Sequence, residues 1–180
     1  NVLVASCTQS TGNVSASNFP VRGAIFQGIP GGNQDGVLIK LSPDLSTVIF
    51  SSYLGGNSED AAYVLSTAPN GNIYVAGGTE SDASTFPGNE SGTIGSVNNG
   101  SIDGFVAIIS SNGANILRST FIGTHGRDQV YGIQFDNLGF PYITGQTTGN
   151  WPVQNATYSN AGGKQFICKM RPDLSSYVYS

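Results

Sequence analysis

The residues with the clearest chemical potential lie in one turn, where His125, the only histidine of the chain, is followed by Arg127 and Asp128. A histidine beside a carboxylate is an arrangement that general acid–base catalysis uses. The same turn occurs earlier in the chain with Asn57 in place of the histidine, and it keeps only the aspartate, Asp60. An aspartate at this position commonly accepts hydrogen bonds from turn amides. We therefore predict a structural role for both aspartates and no catalytic residue.

Metal and cofactor chemistry has little support in the sequence. Histidine and cysteine do not cluster with the spacing of metal ligands, and there is no calcium-binding loop of alternating aspartates. Phosphate-binding loops, dinucleotide-binding glycine motifs and nucleophile elbows are also missing. Asp60 and Asp128 could each contribute an oxygen ligand to a cation site near an axis, but no second feature favours it. We expect no metal, no cofactor and no enzymatic activity, and the sequence identifies no ligand-binding residue.

The composition is that of a turn-rich β protein. The 180 residues include 25 glycines and 8 prolines, with 38% hydrophobic and 10% charged residues, which is too apolar for a disordered chain. The net charge of −4 and the scattered Lys and Arg residues offer no basic surface, so nucleic acid is not an expected partner. No apolar run approaches the roughly 18 residues of a membrane span.

The two cysteines, Cys7 and Cys168, each fall within a predicted strand. A free buried thiol behaves there as a small hydrophobic group. Two cysteines do not make a disulfide framework, although the sequence leaves a disulfide between them open.

The element that must position Asp60 is a β-hairpin that follows it directly. Its predicted arms are residues 61–66 and 72–76, joined by Pro69-Asn70-Gly71. Asn-Gly favours a tight turn because both residues tolerate positive φ. The long apolar periodicity of amphipathic helices does not occur.

This hairpin belongs to a repeat of about 68 residues, and several segments recur in the same order. The recurring segments are Asn1–Thr8, Asn72–Thr79 and Phe140–Thr147; Asp35–Leu41, Asp103–Ile109 and Lys164–Met170; and Ser51–Gly56 and Ser119–Thr124. Internal repeats of this length indicate an array of equivalent structural units.

Each repeat is predicted to hold four strands, a to d, which lie near 61–66, 72–78, 104–110 and 115–122 in the middle copy. Strands joined in succession by tight turns form an antiparallel meander, and the almost unbroken apolar strand c indicates a sheet buried on both faces. We therefore predict an all-β fold of β-propeller blades.

The repeats divide the chain into a single array of fewer than three predicted blades. Residues 1–54 supply strands b, c and d of a partial blade, 55–122 a complete blade, and 123–180 strands a, b, c and the start of d. Closed propellers use about 4–8 blades. We therefore expect further blades from a longer chain or from another subunit, because an open arc would expose apolar faces.

An aromatic residue followed by proline recurs in the long connection between strands b and c, as Phe19-Pro20, Phe86-Pro87 and Trp151-Pro152. We interpret it as a structural peg, in which the ring packs against a blade edge and the proline stiffens the loop. A ligand-stacking platform is the alternative.

These motifs together resemble the bacterial SBBP repeat family, which is named for a seven-bladed β-propeller. The motifs that carry the resemblance are Asp103–Ile108, Ser51–Gly56, Pro69–Gly77 and Thr85–Pro87. The third copy departs from the pattern, with Lys164-Gln165 in place of Asp-Gly and Phe140-Pro141 in place of Gly-Asn, and we expect its blade to survive. The resemblance implies a secreted or cell-surface bacterial protein with no common catalytic activity.

The expected function is a non-catalytic extracellular or bacterial cell-surface module that binds a protein or glycan. Polar loops on a rigid scaffold would supply the binding surface. A structural spacer in a long surface filament or adhesin is the first alternative. A propeller enzyme whose active site lies outside this segment is the second.

Overall fold

A computed structural model describes residues 1–10, 19–160 and 162–180, and this part of the chain contains no helix. Eleven strands form three antiparallel sheets, which confirms the prediction of an all-β fold. The first sheet contains β1 (Val2–Thr8), β2 (Asp35–Leu41) and β3 (Val48–Leu54); the second contains β4 (Asp60–Thr67), β5 (Ile73–Thr79), β6 (Asp103–Ile109) and β7 (Ile116–Ile122); the third contains β8 (Asp128–Phe135), β9 (Pro141–Thr147), β10 (Gln165–Met170) and β11 (Tyr177–Tyr179).

Every sheet is a meander in which each strand pairs with the next one along the chain. The four predicted strands of the middle sheet are present to within one residue at each end. The predicted Asn70-Gly71 turn joins β4 to β5, with Gly71 at φ 87° and the Asn70 side chain accepting the N–H of Asn72 at 3.0 Å. Gly71 is suited to this position because its φ lies in the left-handed region.

The middle sheet has hydrophobic clusters on both faces. One face packs against the first sheet through residues such as Val75, Phe105 and Phe121, which meet Leu38 and Phe50. The opposite face packs against the third sheet through a second cluster of buried residues, Tyr74, Val106, Ile108, Ile122, Val130, Ile143, Phe166 and Met170. All seven residues of both β5 and β6 are buried, so the apolar run of strand c has the two-sided burial that the sequence predicts.

The third sheet is covered on one face only. In β10, Phe166, Cys168 and Met170 are buried against the middle sheet, whereas Ile167 is 65% exposed. Strand c of this copy is therefore buried on one face only, because none of the described residues packs on its outer face.

Both cysteines lie in strands, as predicted, and both are free. Cys168 is buried, and burial raises the pKa of its thiol to about 12. Cys7 is exposed, which corrects the expectation of a buried thiol.

The first strands of the middle and third sheets, β4 and β8, lie next to one another. On its other side β4 contacts β1, which is the counterpart of β5 in the repeat. Short links, residues 55–59 and 123–127, connect the last strand of one sheet to the first strand of the next. These links bring the polar turns of neighbouring sheets to the same end of the structure. Within the described ranges, no helix is long and apolar enough to cross a membrane.

Candidate functional site

Four buried aspartates lie at the end of the sheets where the links run. Asp35 and Asp103 begin the strands β2 and β6, and Asp60 and Asp128 begin β4 and β8. Each is at most 1% exposed. Asp103 repeats Asp35 and Asp128 repeats Asp60, each 68 residues later. One junction between sheets therefore holds Asp35 and Asp60, and the other holds Asp103 and Asp128.

Asp60 and Asp128 bind the turns that precede them, as the sequence predicts. The Oδ2 atom of Asp60 accepts the N–H of Gly56 and the hydroxyl of Ser81, both at 2.7 Å. The Oδ2 atom of Asp128 accepts the N–H of Thr124 at 2.7 Å and its hydroxyl at 2.9 Å. Charge-assisted bonds of this kind fix the entry of the chain into each first strand.

Asp35 and Asp103 hold the preceding loops in the same way. Asp35 accepts the N–H groups of Gly31 and Gly32 at 3.1 and 3.3 Å, and Asp103 accepts the N–H of Asn99 at 2.8 Å. The Oδ1 atom of all four aspartates is buried without a hydrogen bond to any described residue. Buried polar atoms without partners are costly, so these junctions hold carboxylates in an unfavourable environment.

Burial is the main reason that three of these carboxyl groups bind protons more tightly than usual. It raises the pKa of Asp60 to about 6, although the hydroxyls of Thr79 and Ser81 and the N–H of Gly56 oppose the shift. It also raises the pKa of Asp103 to about 6, and the neighbouring charge of Asp128 adds to this. The pKa of Asp35 is raised for the same reason.

The structure does not bring His125, Arg127 and Asp128 together as a catalytic group. Asp128 is buried and bonded to Thr124, whereas His125 and Arg127 are exposed. The imidazole Nδ1 of His125 lies 3.3 Å from the carbonyl oxygen of Asn99. Across the described ranges, no three His, Cys, Asp or Glu side chains are grouped so that they could hold a metal ion.

A cleft of about 660 Å³ adjoins the loops whose N–H groups bind Asp103 and Asp128. It is lined by the turn 123–126, the segment 148–150, Asn99 and Pro152. The side chains of Asn99, His125, Thr148 and Asn150 are exposed there. No carboxylate is among the lining residues, and the two aspartates are shielded by the loops whose N–H groups they bind.

The junction between sheets occurs twice: residues 55–60 and 80–85 form its first copy, and residues 123–128 and 148–150 form its second copy. The hydroxyl that binds Asp60 or Asp128 comes from a different position in each copy. In the first copy the Ser81 hydroxyl donates to Asp60, and the residue that faces Ser81 across the junction is Gly56. In the second copy Thr124, at the position of Gly56, donates to the aspartate, and Gly149 stands in place of Ser81. A side chain at Gly149 would overlap the Thr124 hydroxyl. Each junction therefore has room for one hydroxyl, which either side can supply.

The aromatic-Pro residues pack as the predicted pegs. Phe86 is buried between Phe105 and Phe121, with ring centroids 4.9 and 5.6 Å away. Trp151 stacks on Phe166 at 3.6 Å with an interplanar angle of 3°. Phe19 lies 5.0 Å from the ring of Tyr53. Phe86 is therefore buried in the sheet packing, whereas Phe19 and Trp151 are half-buried at its edge.

Two kinds of site residue are not apparent from the sequence. Asp35 and Asp103 begin two of the recurring segments, but the sequence does not show that each shares a junction with a second aspartate. Serines 51, 119 and 180 each donate to the carbonyl of the proline in an aromatic-Pro pair. These serines recur at the same place in or directly after strand d of each copy, and this recurrence is the sequence feature that could have identified them.

Comparison with protein-family models and with curated proteins gives no relative from which a function could be transferred. None of the models of known protein families matches the chain, and the curated proteins contain no match to it. The functional interpretation therefore depends on the residues and geometry of this chain.

Proposed function

We propose that the three sheets are blades of a β-propeller, and that the chain is a non-catalytic module which binds a protein or glycan partner through its polar loops. The observation that carries this proposal is the packing of the middle sheet, whose two faces are buried by the sheets before and after it. Propellers stack four-stranded antiparallel meanders around an axis. The contact of β4 with β8, its counterpart in the third sheet, fits first strands that line such an axis.

Further blades from a longer chain or another subunit belong to this proposal. Ile167 occupies in β10 the position that Val106 has in β6, and Val106 is buried against the following sheet. An isoleucine that is 65% exposed at this position supports a following sheet of the same kind. The same observation favours the second candidate, a structural spacer in a long surface filament or adhesin.

The binding role is supported by where the polar residues lie. The loops at the end that carries the links present exposed amide, hydroxyl and imidazole groups on a rigid sheet framework. Such loops are the usual location of binding surfaces. A secreted or bacterial cell-surface location follows from the resemblance to SBBP repeats and is part of the proposal, since fold alone does not dictate function.

A binding screen of the native full-length protein tests this function. The protein is applied to a glycan array and to a panel of extracellular proteins, and its folded state is checked by circular dichroism. Saturable binding to either class supports the binding module. A folded protein that binds no member of either class contradicts it and favours the spacer.

A further inference from the structure

The cleft exists because one connection is three residues shorter than its counterpart. Six residues separate Thr79 from Phe86 in the first copy, whereas three separate Thr147 from Trp151 in the second. The flanking strands and the aromatic peg are retained in both. The missing residues are equivalent to 83–85, so the turn that they form in the first copy has no counterpart beside His125.

In the first copy the chain fills this space with its own polar groups. The hydroxyl of Thr85 accepts the N–H of Asn57 at 3.2 Å and donates to the Asn57 side-chain oxygen at 2.9 Å. The side-chain amide of Asn57 also donates to Asp82 at 3.2 Å. The site therefore satisfies an aliphatic hydroxyl with one donor and one acceptor at the same time.

In the second copy the equivalent of Asn57 is His125, and no residue in the described part of the chain replaces the Thr85 hydroxyl. The main-chain N–H of His125 has no acceptor among residues 1–10, 19–160 and 162–180. Its exposed imidazole offers a second polar group beside it. We propose that the cleft binds a saccharide, one hydroxyl of which takes the place that the Thr85 hydroxyl occupies in the first copy.

The cleft has the size and lining that a sugar requires. Its volume of about 660 Å³ lies within the range of small-molecule sites. The exposed side-chain amides of Asn99 and Asn150 each present donors and an acceptor, which suits neighbouring hydroxyls. Pro152 adds an apolar surface. A peptide would need a free strand edge or apolar side-chain pockets, and this lining provides neither.

The charge at this site is compatible with neutral and acidic sugars. Glu80 and Asp82 of the first copy are replaced by Thr148 and Asn150, and Lys164 takes the place of Asp103. The Lys164 ammonium lies at the rim, 3.1 Å from the carbonyl oxygen of Thr148. Opposing this, the buried carboxylates near the cleft repel an anion. Neutral and acidic saccharides share the hydroxyl groups that this cleft would bind, and the titration described below distinguishes between them.

This inference rests on the proposed binding function and names the ligand class of one cleft. The native protein is titrated with neutral tetrasaccharides of glucose, galactose and mannose, and with tetragalacturonate. Two unique reporters flank the site: the imidazole signals of His125, the only histidine, and the fluorescence of Trp151, the only tryptophan. We expect at least one tetrasaccharide to shift both reporters saturably.

Three substitutions locate the binding. Asn99→Ala and Asn150→Ala each remove a side chain that lines the cleft, and each is expected to weaken the binding about fivefold through the loss of hydrogen bonds to the ligand. Asn115→Ala is the matched control, since it truncates an exposed asparagine at the opposite end of the sheets. Its affinity is expected to stay within about twofold of wild type, in line with the small effects of surface substitutions.

A fourth variant closes the cleft without removing the imidazole. The segment 148–150 is replaced by the sequence of residues 80–85, together with Thr124→Gly to admit the new serine. We expect saccharide binding to be lost while the thermal unfolding transition remains cooperative. Should this variant fail to fold, the two asparagine variants still decide the question.

The outcomes separate this inference from the proposed function. If no tetrasaccharide shifts the reporters, or if Asn115→Ala weakens binding as much as the cleft variants do, the saccharide site is refuted. An acidic peptide that binds at His125 more tightly than every sugar also refutes it. After any of these results the proposed binding function still holds if the screen of glycans and extracellular proteins finds a protein partner. The binding function is refuted only when that screen finds no partner.

Discussion

Replacing Asp60 by asparagine should make the stability of the protein less dependent on pH. The Asp60 carboxyl is 1% exposed, and burial raises its pKa from 3.8 to about 6. Asparagine keeps an oxygen that can accept from Gly56 and Ser81. It also presents an NH2 group where the carboxylate has an oxygen without a partner, and it carries no charge to desolvate.

The magnitude follows from the difference in proton binding between the folded and unfolded states. With a folded pKa of about 6 and an unfolded value near 3.8, the folded state binds more protons between about pH 4 and pH 6. The stabilisation by the neutral carboxyl is therefore complete below about pH 4 and is lost as the pH rises through 6. From pH 5 to pH 7 this loss is about 1.3 kcal/mol for Asp60. Asp103, whose pKa is also raised to about 6, adds a similar loss.

The assay is urea unfolding at pH 5 and at pH 7. The free energy of unfolding of the wild type is expected to fall by about 2 to 3 kcal/mol between these pH values, and that of Asp60→Asn by about half as much. Glu90→Gln removes an exposed carboxylate and serves as the charge-matched control, with a fall equal to that of the wild type. A wild-type stability that rises from pH 5 to pH 7, or a variant with an unchanged pH dependence, would refute the reasoning.

Three further predictions address the junctions and the outer face. Thr124→Gly removes the hydroxyl bound to Asp128, and Gly149→Ser places a side chain against Thr124, so each substitution is expected to lower the thermal unfolding temperature. The double variant is expected to recover most of the loss, because the new serine can supply the hydroxyl in place of Thr124. Purely additive losses would contradict the idea that either position can supply it. Gly55→Ala forces a methyl group against two buried carboxylates and should cost about 2 kcal/mol or more in chemical denaturation, which an unchanged unfolding midpoint would exclude. Ile167→Ser should change the unfolding free energy by less than about 0.5 kcal/mol. If another subunit supplies the following sheet, the substitution should also weaken concentration-dependent association in sedimentation velocity, and a wild type that stays monomeric at all concentrations would exclude that source.

The strands were predictable because their signals are local. Asn70 and Gly71 determine where the hairpin turns, and the apolar run Gly104–Ile109 identifies a strand buried on both faces. The repeat gives each such segment two or three independent copies. The structural role of Asp60 and Asp128 also followed from the repeat, because His125 has no counterpart in the other copy.

The pairing of the aspartates could not be predicted, because it depends on contacts between sheets. Asp35 and Asp60 are 25 positions apart in sequence, and only the stacking of two sheets places both beside Gly55. The same stacking decides that Ile167 is exposed whereas its counterpart Val106 is buried. Ile167 and Val106 are both apolar residues at the same position of the repeat, so their residue types do not show which of them is covered by a neighbouring sheet.

The sequence by itself determined an all-β chain of repeated hairpins, with the polar turns at fixed intervals and the aromatic-Pro residues available as pegs. Only the tertiary structure decided that these turns meet at one end, that four carboxylates are buried there, and that the short segment 148–150 leaves a cleft beside His125. The reason is physical: backbone turns and strands follow from local conformational preferences, whereas burial, pKa and the shape of a cleft depend on what the neighbouring sheet places against each side chain.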